Sequence, residues 1–188
     1  MQKIAQFQGS LMSHLNTVYR PGERDLAIRL AEALGLSVVE IPLSETHSMI
    51  AGHINPDDPD ILNNVVYFFE MSPVQARLEA ALKQQLEQDP GLKAAVAQYH
   101  EVAVERPDST PHIGLQLRSN AQLDAIKARL ANLDPDLRDR VRVSEMPSYG
   151  VVADFPDMRQ VFVHTDVFTA GSGAMGQVIE LQVERNAA

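Results

Sequence analysis

The chain has 188 residues, 45% of them hydrophobic and 22% charged, a globular balance that excludes disorder, collagen and a coiled-coil rod. Sixteen Lys and Arg against 25 Asp and Glu give a net charge of −9, and with no cationic cluster in the sequence nucleic acid is not an expected partner. The absence of cysteine removes disulfides, thiolate catalysis and Cys-ligated zinc or iron–sulfur sites, so any metal must be held by His, Asp, Glu or water.

A first strand is expected over residues 11–18. Pro21-Gly22 then punctuates the entry to a helix over 23–34, with Leu26, Leu30 and Leu34 every fourth residue and Gly35 as its stop. Strands follow over 37–41, 48–54 and 64–70, each β-branched or alternating. Ser72-Pro73-Val74-Gln75 is a capping box with Pro in the first helical position, opening a helix to Gln88 with the apolar stripe Val74, Leu78, Leu82, Leu86. Asp89-Pro90-Gly91 breaks it, and a shorter helix should run from Pro90 to about His100. Beyond a polar run ending at Pro111, a strand is expected over 112–117. A second capping box, Ser119-Asn120-Ala121-Gln122, begins a helix with Leu123, Ile126, Leu130 and Leu133 facing inward. Strands over 141–146, 150–155, 160–165 and 177–183 complete the pattern.

The order strand, helix, three strands occurs twice, with matched offsets. His14 precedes Ala27-Ile28-Arg29 by 13 residues, and His112 precedes Ala125-Ile126-Lys127 by the same 13. A strand carrying Glu and Pro follows each helix, and each pass closes on an apolar strand bearing a Glu, Glu70 and Glu180. The reading is α+β: two βαβββ units forming a paired, partly open sheet around a metal-binding cavity. The first unit takes residues 1–71, a helical linker 72–111, and the second unit 112–188. Residues 134–140 and 147–176 are insertions in the second unit.

One His on the first strand and one Glu on the last strand of each unit offer two imidazoles and two carboxylates across a pseudo-two-fold axis. That ligand set, His14, Glu70, His112 and Glu180, suits a divalent transition metal such as Zn, Ni, Mn or Fe. Each residue taken singly has a duller alternative, a hydrogen-bonded strand histidine or a solvent-facing carboxylate; their recurrence favours the metal. A carboxylate after so apolar a strand would be costly without a cation partner. His164 and Tyr149 are further pocket candidates, with ordinary sheet packing as the alternative. His47, His53 and His100 have no recurring counterpart in the sequence, and Gly171-Ser172-Gly173 reads as a turn before a strand rather than a phosphate loop.

His112-Ile113-Gly114-Leu115-Gln116-Leu117, the helix containing Ala125-Ile126, and Val178-Ile179-Glu180-Leu181 resemble the first strand, helix and last strand of the vicinal oxygen chelate superfamily. This is the glyoxalase, bleomycin-resistance and extradiol-dioxygenase fold. His14-Leu15-Asn16-Thr17-Val18, Asp25-Leu26-Ala27-Ile28 and Leu34-Gly35-Leu36 resemble it in the first unit. The resemblance implies metal ligands at His14, Glu70, His112 and Glu180, with Glu180 or Glu70 as the base that takes a proton α to a carbonyl. It implies a glyoxalase-like isomerase or lyase acting on a small substrate with vicinal oxygens. The alternatives are an extradiol-type ring-cleaving dioxygenase using two His and one Glu, and a metal-free ligand-binding or resistance protein. The chain departs from the family at Arg29-Leu30, where an aromatic pair is usual, in the turn Gly171 to Gly176, and at Phe68-Phe69-Glu70-Met71. A homodimer is implied by the resemblance. No secretory core in residues 1–10 and no apolar run near about 18 residues make a soluble, cytoplasmic protein without a membrane partner the expectation.

Overall fold

The computed structural model describes residues 13–44, 48–57, 63–146 and 157–185. The first βαβββ unit is β1 (His14–Tyr19), α1 (Arg24–Ala33), β2 (Ser37–Pro42), β3 (Ser48–His53) and β4 (Val65–Glu70). Two linker helices follow, α2 (Pro73–Gln88) and α3 (Pro90–Glu105). The second unit is β5 (Ile113–Gln116), α4 (Asn120–Ala131), a one-turn α5 (Pro135–Arg138), β6 (Val141–Glu145), β7 (Met158–Thr165), β8 (Phe168–Thr169) and β9 (Gln177–Glu184). The strand expected over 150–155 lies outside the described residues.

Both units are wired alike. In the first sheet the order is β2-β3-β4-β1-β8, and in the second β5-β9-β7-β6. In each, the unit's first and last long strands pair in parallel and the others pair antiparallel. The fold is therefore mixed α+β with two open sheets of five and four strands. β8 was not anticipated. This two-residue strand from the second unit pairs with β1 of the first, Tyr19 opposite Phe168, and Phe168 meets Phe68 edge-on at 4.9 Å.

Period-two alternation gives each sheet two faces. Tyr19, Ile50, Val66 and Phe68 point to one side of the first sheet and share a core with Ala27, Leu30, Ala31 and Leu34 at α1. Leu115, Val161, Val163, Ile179 and Leu181 do the same in the second, against Leu123, Ile126 and Leu130 of α4. The capping boxes form as the sequence indicates: Gln75 N donates to Ser72 Oγ and Gln122 N to Ser119 Oγ, both at 3.2 Å.

The units are joined where their helices meet. Gly35, at φ +89°, ends α1 in a conformation that favours glycine, and a side chain there would press on Ile126. Arg129 Nε donates to the Ala33 carbonyl at 3.0 Å. Arg29 bonds Asp25, Asp134 and Asp136 and so clamps the 134–140 segment to α1. Leu30 beside it is fully buried. A second bridge runs from Glu23 and Arg20 to Arg140 and Asp166.

The linker differs from expectation in two ways. α3 continues to Glu105, because nothing between His100 and Pro107 stops a helix. α2 buries none of its residues: Val74 is 67% and Leu78 58% exposed, so its apolar stripe faces outward. No helix among the described residues is long and apolar enough to cross a membrane.

Candidate functional site

On the second sheet, the face opposite α4 is polar. The registers Gly114↔Glu180, Glu180↔Phe162 and Phe162↔Ser144 set one row across β5, β9, β7 and β6. His112 sits one residue before β5, beside Val178 in the preceding row, and that row continues through His164 to Arg142.

Glu180 is buried at the centre. Its Oε1 accepts from Gln160 Nε2 at 2.6 Å, and its Oε2 lies 3.1 Å from His112 Nε2. His112 Nδ1 lies 2.8 Å from the Thr110 carbonyl oxygen. A carbonyl can only accept, so Nδ1 carries the proton of that bond. In the neutral ring this leaves the Nε2 lone pair facing a carboxylate lone pair, and two acceptors so close need a cation between them: a second proton, making an imidazolium, or a metal ion. Two ligand atoms on one ion at about 2.0–2.2 Å are about 3.0–3.4 Å apart, which the His112–Glu180 spacing matches. The backbone carbonyl behind Nδ1 is the kind of outer contact that orients a metal-binding imidazole. Phe162 supports the ring edge-on at 5.8 Å, and Gly114, opposite Glu180, leaves the space above its Oε2 clear of a side chain.

The first sheet is arranged differently. His14 pairs with Val65 and Glu70 with Tyr19, so the two lie five residues apart along the strands, about 16 Å, and on opposite faces. Glu70 is exposed and accepts from Gly22 N at 3.2 Å, whereas His14 sits on the exposed face against Tyr67, ring centroids 5.0 Å apart. Counting from each histidine by register, Tyr67 occupies the first-sheet place that Glu180 occupies in the second. Of the four ligand candidates the structure brings together His112 and Glu180, and it does not bring Glu70 to His14. Among the described residues no three His, Asp or Glu side chains converge as a metal-binding group.

His53, without a counterpart in the sequence, has one in the fold. Val65 lies between His14 and His53 just as Val178 lies between His112 and His164. His164 Nε2 is 3.0 Å from Ser144 Oγ. Burial, then the charge of Arg142 and that of His100 on α3, push the His164 pKa down to about 4, so its ring is neutral near pH 7. Tyr149 and His47 lie outside the described residues. The turn 171–174 holds a carboxylate of its own chain: Gly173 N and Ala174 N donate to Glu79 of α2 at 3.1 and 3.2 Å.

Gln160, Thr110, Ser144 and Arg142 were not singled out from the sequence. Arg142 and Ser144 alternate with Val141 and Val143, a period-two signal of a polar sheet face that was available. Comparison with protein-family models, with curated proteins and with solved structures found no match.

Proposed function

We propose that the chain is a metal-dependent enzyme of the vicinal oxygen chelate type, acting on a small substrate with two adjacent oxygens. The observation that carries this reading is the buried Glu180 facing Nε2 of His112, a pair whose chemistry and spacing fit a divalent transition metal. A bound ion would supply Lewis acidity to the substrate oxygens. Thr110 holds His112 in the tautomer that presents Nε2, and Gln160 fixes Glu180 by occupying its other oxygen. Gly114 puts no side chain beside Oε2.

Once displaced from the ion, Glu180 would be the carboxylate that accepts a proton α to a carbonyl, the step an isomerase or lyase needs. Glu70 lies on the far face of its sheet, which removes support for it in either role. That same observation favours a second reading. With Tyr67 in the place matching Glu180, the ligand types on corresponding faces are His14, His112 and Glu180, the two-His, one-carboxylate composition of a ring-cleaving dioxygenase, though the three do not converge as one group among the described residues. Assay of metal-reconstituted protein with and without oxygen separates the two. An isomerase turns over anaerobically with several metals, and a dioxygenase consumes one O₂ per substrate with Fe(II) or Mn(II). Protein that binds no metal under either condition contradicts both and supports a metal-free ligand-binding role.

A further inference from the structure

The four-strand face carries a second cluster that the His112–Glu180 pair does not use. Arg142, His164 and Ser144 sit together at its far edge, on β6 and β7. Most arginines of this acidic chain are committed to carboxylates, among them Arg20, Arg29, Arg140, Arg159 and Arg185. Arg142 is exposed and forms no ion pair among the described residues. Glu145, the acid of the same strand, points to the other face and pairs with Lys127. Glu180, on the Arg142 face, is already held by His112 and Gln160. The charges acting on His164 are those of Arg142 and of His100 on α3, within a chain of net charge −9.

The first sheet provides an internal comparison. Its matching His–Val–His row ends in Ser37 rather than Arg142, and Val39 stands where the second sheet has Ser144. The histidine row is thus shared by both units, while the cation and the hydroxyl beside it belong to one.

We propose that Arg142, His164 and Ser144 form a recognition site for the carboxylate of an organic anion, so that the substrate is anionic at the end remote from its adjacent oxygens. Arg142 supplies charge and a planar pair of donors. The site uses the tautomer in which Ser144 Oγ donates to His164 Nε2, so that the His164 proton on Nδ1 is a third donor. The ring lies two strands from His112, about 10 Å, with the buried side chains of Phe162 and Val178 on the strands between the clusters. The site thus fits a substrate with a chelating head, a short apolar spacer and a carboxylate tail. The head's position rests on the metal reading above; the carboxylate site itself does not.

The test uses metal-free, EDTA-treated protein and two probes of one shape, benzoate and benzamide, titrated at low salt and followed through the histidine ring resonances. Benzoate should bind at least about tenfold more tightly than benzamide, the worth of one charge-assisted contact at a partly exposed site, and should shift the His164 signals. Arg142→Gln should erase the preference and leave benzamide unchanged, while Glu180→Gln should leave it intact. Equal affinity for the two probes, no binding of either, or a preference that survives Arg142→Gln would overturn the proposal. Loss of metal binding with the benzoate preference retained would instead count against the metal reading alone.

Discussion

Replacing Glu180 with Gln separates the two ways of filling the gap between His112 and Glu180. The side chain is 8% exposed and the substitution keeps its shape. In metal-free Glu180→Gln protein the new amide oxygen can still accept from Gln160, and the new amide N–H can donate to the His112 Nε2 lone pair. Two neutral bonds, each worth about 0.5–1.5 kcal/mol, then replace charged ones worth about 1.5–3, while the cost of burying a carboxylate disappears. The net change in metal-free stability should lie within about 1 kcal/mol of zero. With metal the two proteins should part. An ion at a hundred times its dissociation constant stabilises the wild type by about 2.7 kcal/mol, or roughly 5–11 °C in Tm for a chain of this size. The variant, lacking the anionic ligand, should show little of that shift. Thermal melts in EDTA and in excess Zn or Mn provide the assay. A loss above about 2 kcal/mol in EDTA would refute the reasoning, because the pair would then be an ion pair holding the fold. A full metal-induced shift in the variant would refute it equally.

Three further outcomes are expected elsewhere in the two sheets. Because His164 titrates near 4 in the fold and near 6.5 when unfolded, its contribution is complete above pH 6.5 and is lost as pH falls toward 4; His164→Asn should flatten that part of the stability profile, by on the order of 1 kcal/mol after solvent screening, in urea melts across the range. Burial pushes the Asp166 carboxyl up, but bonds from Arg140 and Arg20 outweigh it and hold the group below its ordinary 3.8, so its stabilisation is full above the ordinary value and is lost as pH falls through the lowered one; Asp166→Asn should cost about 1 kcal/mol at pH 7 and progressively less in acid, as read by denaturant midpoints. Gly52→Ala places a methyl 3.0 Å from both Leu36 and Phe68 in the first core, and calorimetry should record a loss of about 1–3 kcal/mol.

Local signals carried the elements well. Gly35 and the two Ser caps mark helix ends by chemistry confined to a few residues, and the matched offsets from His14 and His112 to their helices reflect a shared strand–helix geometry that the two sheets repeat. What needed the structure was register. Glu70 and Glu180 look alike when each is counted as the Glu of a closing strand, but β4 ends at Glu70 and β9 runs on to Glu184. The odd-numbered slip this creates turns Glu70 to the opposite face, and Tyr67 takes the matching place. The kinship of His53 and His164 was hidden for a related reason, since loops of unequal length precede their strands while the cross-strand partner is the same. The α2 stripe shows the limit of periodicity: Val74, Leu78 and Leu82 repeat as a buried face would, yet spacing does not say what lies opposite, and among the described residues nothing buries them.

The proposed function stands or falls on whether His112 and Glu180 hold a metal ion. Elemental analysis and metal titration of the purified protein, compared with His112→Ala, test it directly. About one divalent transition-metal ion per chain is expected in the wild type, with loss of that ion in the variant and circular dichroism unchanged. Wild-type protein that takes up no such ion, or His112→Ala protein that retains a full equivalent, would contradict it.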